Sequence, residues 1–136
     1  MIASMEDRII AEFRANEGSV GDMHEGKPLL LLHSVGARTG ITRVCALMYG
    51  TAPGGYAIFA SKGGADTDPH WFHNLIMHPD VEIEIGSETL AVRARVVEGQ
   101  ERERIWSEWK RDWPFFAEYE RKTKRPVIPV VVLERV

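Results

Sequence analysis

Sulfur nucleophiles are almost missing from this sequence: Cys45 is the only cysteine in 136 residues. A single thiol excludes an internal disulfide and any multi-cysteine metal site, and it fits a reducing compartment. Long apolar runs are missing too, residues 28–32 falling far short of the ~18 that a membrane span needs. Glu6 and Asp7 stand where a signal peptide would carry positive charge before an apolar stretch, so a cytoplasmic location is expected. There is no basic excess; a formal net charge of -3 argues against a nucleic-acid binder. With 44% hydrophobic and 27% charged residues, and no repeat or low-complexity segment, the chain reads as one ordinary globular domain.

The most informative absence is local. Residues 27–65 contain no Asp or Glu, where the chain average would place about six. The same stretch holds Lys27, Arg38, Arg43 and Lys62. Cationic donors without competing carboxylates suit an anionic ligand, whose phosphates or carboxylates accept charge-assisted hydrogen bonds.

Residues 2–17 set Ile2, Met5, Ile9 and Phe13 three or four apart, the stripe of a short amphipathic helix. It could dock on the protein body or lie on a membrane surface. From Pro28 the period changes to two. Strands are expected at 29–35, 42–49, 56–60, 81–85, 89–97 and 127–133, with glycine-rich turns at 36–40, 53–55 and 86–87. In the fifth, Leu90, Val92, Ala94 and Val96 alternate with Arg93 and Arg95, which predicts one wet face. Pro69 opens a short helix running to Met77, and helices follow at 98–113 and 114–122, broken at Pro114. Short connections between strands predict a six-stranded antiparallel closed sheet. Residues 1–26 form a helix and linker, and 27–136 form the barrel domain.

Two turns could hold an anion. Gly36-Ala37-Arg38-Thr39-Gly40 offers backbone N–H groups beside an arginine and a hydroxyl, with Arg43 close behind. Ser61-Lys62-Gly63-Gly64 is a second cationic, glycine-rich turn, without the spacing of a phosphate-binding Walker loop. His70 and His73 share a helix face but lack a third ligand, which makes a poor zinc site. His33 and Cys45 read as core or pocket lining, since nothing adjacent would orient a base, and no nucleophile elbow is present.

These motifs together resemble the deazaflavin-dependent nitroreductase family of actinobacteria, small FMN-binding-like split β-barrel proteins that use coenzyme F-420. The resemblance rests on Gly36-x-Arg38-Thr39-Gly40, Arg43, Ala60-Ser61-Lys62-Gly63-Gly64, Pro69-x-Trp71-Phe72-His73-Asn74-Leu75, His78-Pro79-x-Val81, and Tyr119 with Thr123, Arg125 and Pro129. It implies that Ala37, Arg38, Thr39, Arg43 and Lys62 grip the phosphate and acidic tail of the cofactor. Val44, Cys45, Ala46, Leu47, Met48, Phe59, Ala60 and Ser61 would lie along the deazaflavin ring, with His70, Trp71, Phe72, His73 and Asn74. Two departures stand out: Cys45-Ala46 replaces the Asn-Pro of many relatives, and Trp113 and Phe116 replace tyrosines of the nitroimidazole reducers.

The implied activity is hydride transfer from reduced coenzyme F-420 to a quinone such as menadione, with nitroaromatics less favoured. Ser61 and Tyr119 are the expected catalytic pair, and Met48, Trp113, Phe116 and Tyr119 the expected substrate contacts. FMN is the alternative cofactor, and a non-catalytic cofactor carrier the alternative role. A monomer or homodimer is expected, with peripheral membrane contact through residues 1–17 as an open possibility.

Overall fold

The computed structural model describes residues 4–21 and 24–136. Helix α1 spans Met5–Ala15. It starts where Ser4 and Asp7 form a capping box, each side chain bonding the other residue's backbone N–H. Phe13 of its stripe is buried, 1% exposed, so the helix docks on the body of the protein; Ile2 lies outside the described residues. Among the described residues, no helix is long and apolar enough to cross a membrane.

Strands β1 (Leu29–Val35), β2 (Thr42–Met48), β3 (Gly50–Ala52) and β4 (Gly55–Phe59) come next along the chain. Helix α2 (His70–Met77) leads to β5 (Asp80–Ile85) and β6 (Glu88–Val97). Helices α3 (Gly99–Asp112) and α4 (Phe115–Lys122) precede β7 (Val130–Arg135). The strands form one sheet in the order β2-β1-β5-β6-β7-β4-β3, with every neighbouring pair antiparallel.

The sheet has seven strands, not the six expected. The expected strand over 42–49 ends at Tyr49, whose N–H still reaches the Pro28 carbonyl at 3.1 Å; the chain then redirects to pair with β4 as β3. Since β2 and β3 are the two ends of the sheet order yet adjacent in sequence, the sheet must curl into a split-barrel-like shape. The last strand begins at Val130, three residues later than expected. Pro129 has no N–H for the ladder, and Val127 is exposed. In β6 the expected alternation slips at its end: Val97 is buried against α3 and α4, while Val96 is 37% exposed. Arg93 and Arg95 do lie on a wet face, paired with Asp80, Glu101 and Glu134.

In β1, β4 and β7 alternation divides the strand between two covered faces, which explains their unbroken apolar runs. Leu30, Leu32, Ile83, Val131 and Leu133 fill the inside of the curl, where Trp71 and Leu75 of α2 join them. Leu29 and Leu31 turn the other way, to Phe13 of α1. Ala57, Phe59, Val130 and Val132 pack against Trp106 and Trp109 of α3 and Phe116 of α4.

Candidate cofactor and substrate site

Two concavities share β2 and α2 as walls. The first, of about 700 Å³, holds Arg38 and Arg43 together with Ala37, Thr39, His70, His73 and Asn74. The β1–β2 turn that supplies its arginines is fixed from within. The Gly40 N–H donates to the Gly36 carbonyl at 2.9 Å, and the Ile41 N–H to Thr39 Oγ1 at 3.2 Å. Gly40 has φ +70°, a conformation natural to glycine. From α2, Asn74 Oδ1 accepts the Ala37 N–H at 3.0 Å and Nδ2 donates to Ser34 Oγ at 3.2 Å. Asn74 therefore spends its amide as a strut between helix and turn. Neither Arg38 nor Arg43 forms an ion pair with any described residue, which leaves both guanidinium groups available to an anion.

The second concavity, of about 510 Å³, is walled by aromatic and apolar side chains: Phe59, Trp71, Phe115, Phe116, Met48 and Leu47. Ala46, Leu29 and Pro69 complete the apolar lining; Ser61, Lys62 and Tyr119 supply the polar groups, with His24 and Lys27 also on the wall. Phe116 and Tyr119 stand edge to face, 5.3 Å apart, one helical turn from each other on α4. Phe59 stacks on Trp109 at 4.4 Å, which backs this wall with rigid rings. Ser61 is buried, and neither its hydroxyl nor that of Tyr119 is engaged by another described residue.

Sequence reasoning set Lys62 on the same anion as Arg38 and Arg43; in the fold it lines the other concavity. Lys62 follows β4 and lies in the aromatic concavity with Ala46, Leu47 and Met48 of β2, where its Nζ reaches Thr67 Oγ1 at 3.3 Å. Five other expected contacts line neither concavity. Val44 packs toward α1, Cys45 and Phe72 against the inside of the curl, and Ala60 is fully buried there. Trp113 sits behind the wall, 6.1 Å from Trp109 and 6.3 Å from Phe115. Burial, with Glu6 nearby, pushes the Cys45 thiol up to about 12, so it stays protonated at neutral pH. The expected contacts left out Phe115, Leu29, Pro69, His24, Lys27 and Gly63. Phe115 was signalled by its place beside Phe116 on one helix, Lys27 by the acid-free stretch and Gly63 by the Ser61–Gly64 turn, the others by nothing local.

A larger hollow of about 810 Å³ lies along the segment after α1, but Glu12, Glu17 and Glu25 stand on its walls. Its charge opposes an anionic ligand. The cationic and aromatic pair is therefore the candidate site. Its donor chemistry fits a cofactor with a flat ring and an acidic tail: arginines at one end, an aromatic cleft at the other.

The chain is similar to known proteins over most of its length. An F420H(2)-dependent quinone reductase of Mycobacterium tuberculosis is 39% identical over 129 residues, covering 92% of this chain and 86% of its own length. The solved structure of an F420-H2 dependent reductase superposes with a TM-score of 0.71 at 39% identity, covering 79% of this chain and 94% of that one. Another, described as a domain-swapped dimer, gives a TM-score of 0.73 at 37% identity and covers 92% and 91% of the two chains. Membership decides between the two cofactors in favour of coenzyme F-420 over FMN, and between the two roles in favour of an oxidoreductase over a passive carrier. Residues 7–135 match the family described as F420H(2)-dependent quinone reductase, and the chain belongs to it.

Proposed function

We propose that the deazaflavin ring lies in the aromatic concavity and the phosphate and acidic tail in the cationic one, with β2 and α2 spanning both. The observation that carries this reading is the shared wall: Arg43 lines one concavity and Ala46, Leu47 and Met48 the other, on a single extended strand. Three residues of strand span about 10 Å, so one extended ligand can occupy both. When bound, the cofactor supplies hydride chemistry. The protein's own residues bind, orient and protonate. Arg38 and Arg43 hold the tail, and the Phe59, Phe116 and Tyr119 rings form the slot in which an acceptor is held flat. Such positioning is worth up to ~7–11 kcal/mol of barrier in well-oriented systems.

Reducing a quinone to a quinol takes one hydride and one proton. The unengaged hydroxyls of Ser61 and Tyr119 are placed to donate to the quinol oxygen as its charge develops. Tyr119 is the one phenol on this wall; Phe116 and Trp113 supply none. Quinones are therefore the better acceptors and nitroaromatics the poorer ones. With Phe13 of α1 buried against the sheet, docking is also the reading we propose for the helix over a membrane-surface role. Sedimentation of the purified protein distinguishes a monomer from a homodimer, a dimer being the arrangement its 37%-identical relative shows.

The decisive assay monitors loss of reduced coenzyme F-420 absorbance with menadione and with a nitroimidazole. Turnover with menadione, and slower turnover with the nitroimidazole, is expected. No oxidation by either, with the cofactor bound, would remove the proposed reaction.

A further inference from the structure

Arg125 lines neither concavity, yet its side chain is only 9% exposed and each of its three guanidinium nitrogens donates a hydrogen bond. Nη1 donates to the Ala60 carbonyl at 2.9 Å and to Asp68 Oδ1 at 2.6 Å; Nη2 donates to the Ser61 carbonyl at 2.8 Å. Nε donates to Thr123 Oγ1 at 3.0 Å, and that hydroxyl donates to the Ala65 carbonyl at 2.7 Å. Two of these acceptors lie where β4 leaves the sheet. The Ala60 N–H makes its ladder bond to the Pro129 carbonyl at 2.9 Å, but Pro129 has no N–H to return. The guanidinium supplies to the Ala60 carbonyl the donor that Pro129 lacks, and it joins the Gly64 N–H, 2.9 Å away, on the Ser61 carbonyl.

The turn just beyond these carbonyls is strained. Lys62 has φ +47°, rare for a residue with a side chain, and Gly63 and Gly64 are also left-handed. Gly64 lies so close to α4 that a Cβ there would meet the Tyr119 Cα and carbonyl at 3.1 Å. Such a conformation persists only where its surroundings hold it. The surroundings here are the Arg125 fork on one side and Tyr119 on the other.

We propose that Arg125 is a positioning residue for the reaction: by fixing the Ala60 and Ser61 carbonyls it aims the Ser61 hydroxyl and the Lys62 ammonium into the aromatic slot. This rests on the reading that Ser61 acts in that slot. A lysine at 125 keeps the charge, but its three ammonium donors cannot make the guanidinium's four bonds to Thr123, Ala60, Asp68 and Ser61.

The test compares the full-length R125K, S61A and double variants. R125K should keep its far-UV circular dichroism while kcat with menadione falls roughly 10- to 100-fold, the scale of a misplaced catalytic group. The double variant should be no slower than S61A, because Arg125 acts through Ser61. In the cofactor-free protein, amide exchange at residues 62–65 should accelerate in R125K while β1 and β2 exchange as before. If R125K does not fold, D68N, which removes the carboxylate that steadies the fork, should show the same pattern with a smaller loss. An S61A variant with unchanged kcat would take Ser61 out of the chemistry, and this proposal with it. An impaired S61A whose loss multiplies with that of R125K, or unchanged exchange at 62–65, would overturn the role of Arg125 alone.

Discussion

Arg43 and Ser34 face one another across β1 and β2, and Asn74 reaches Ser34 from the helix above. The arginine is thereby set beside a turn that is already fixed, and binding need not order it. A charge-assisted hydrogen bond of this kind contributes about 1.5–3 kcal/mol. Arg43→Ala should therefore weaken coenzyme F-420 binding roughly ten- to a hundredfold in a fluorescence titration, with little change in melting temperature. Undiminished affinity would take Arg43 off the tail. Cys45, two residues on, shows the opposite fate for a reactive side chain. It faces the inside of the curl, and burial keeps its thiol neutral and out of any nucleophilic role.

At the scale of elements, α1 is held by more than its apolar stripe. Glu6 accepts the Ala46 N–H at 2.8 Å, and Arg14 makes two hydrogen bonds to Glu84, which also meets His33 Nε2 at 2.7 Å. The Arg14 guanidinium, with His33 beside it, holds the Glu84 carboxyl below the usual carboxylate range. A depressed carboxyl stabilises the fold above its unfolded pKa, about 4.3, and that contribution is lost as pH falls through the lower folded value. Docking of α1 should therefore weaken in that acidic window. Amide exchange in α1 should speed up there in the native protein and lose that pH dependence in Glu84→Gln. Identical profiles for the two proteins would show that Glu84 does not report helix docking.

Closure of the sheet belongs to the whole molecule. Gly55 starts β4 against β7, and a Cβ built there would sit 1.9 Å from the Leu133 carbonyl oxygen. No rotamer change relieves a clash with backbone. Gly55→Ala should pry β4 from β7 and disturb the aromatic concavity, since Phe59 ends the same strand and Ser61 follows two residues later. Destabilisation above about 4 kcal/mol in urea denaturation is expected, in the range reserved for severe steric defects. Near-native stability in that variant would mean that the strand pair is looser than the geometry shows.

Much of this protein is legible in local sequence. Period-two alternation and glycine turns define the strands, the stripe over Met5, Ile9 and Phe13 defines the first helix, and the acid-free stretch marks a cationic surface. The arginine turn is equally legible, because Arg38 and Arg43 lie within six residues on one hairpin. Local pattern tells which face of a strand a residue takes, but not what covers that face. Strand order and helix docking are long-range properties. They set Lys62 in the aromatic concavity while Arg38 and Arg43 line the cationic one, turned Val44 and Cys45 away from both, and brought Phe115 to the aromatic wall. They also carried Arg125 back across the fold to the carbonyls of Ala60 and Ser61, a contact that no spacing in the sequence announces.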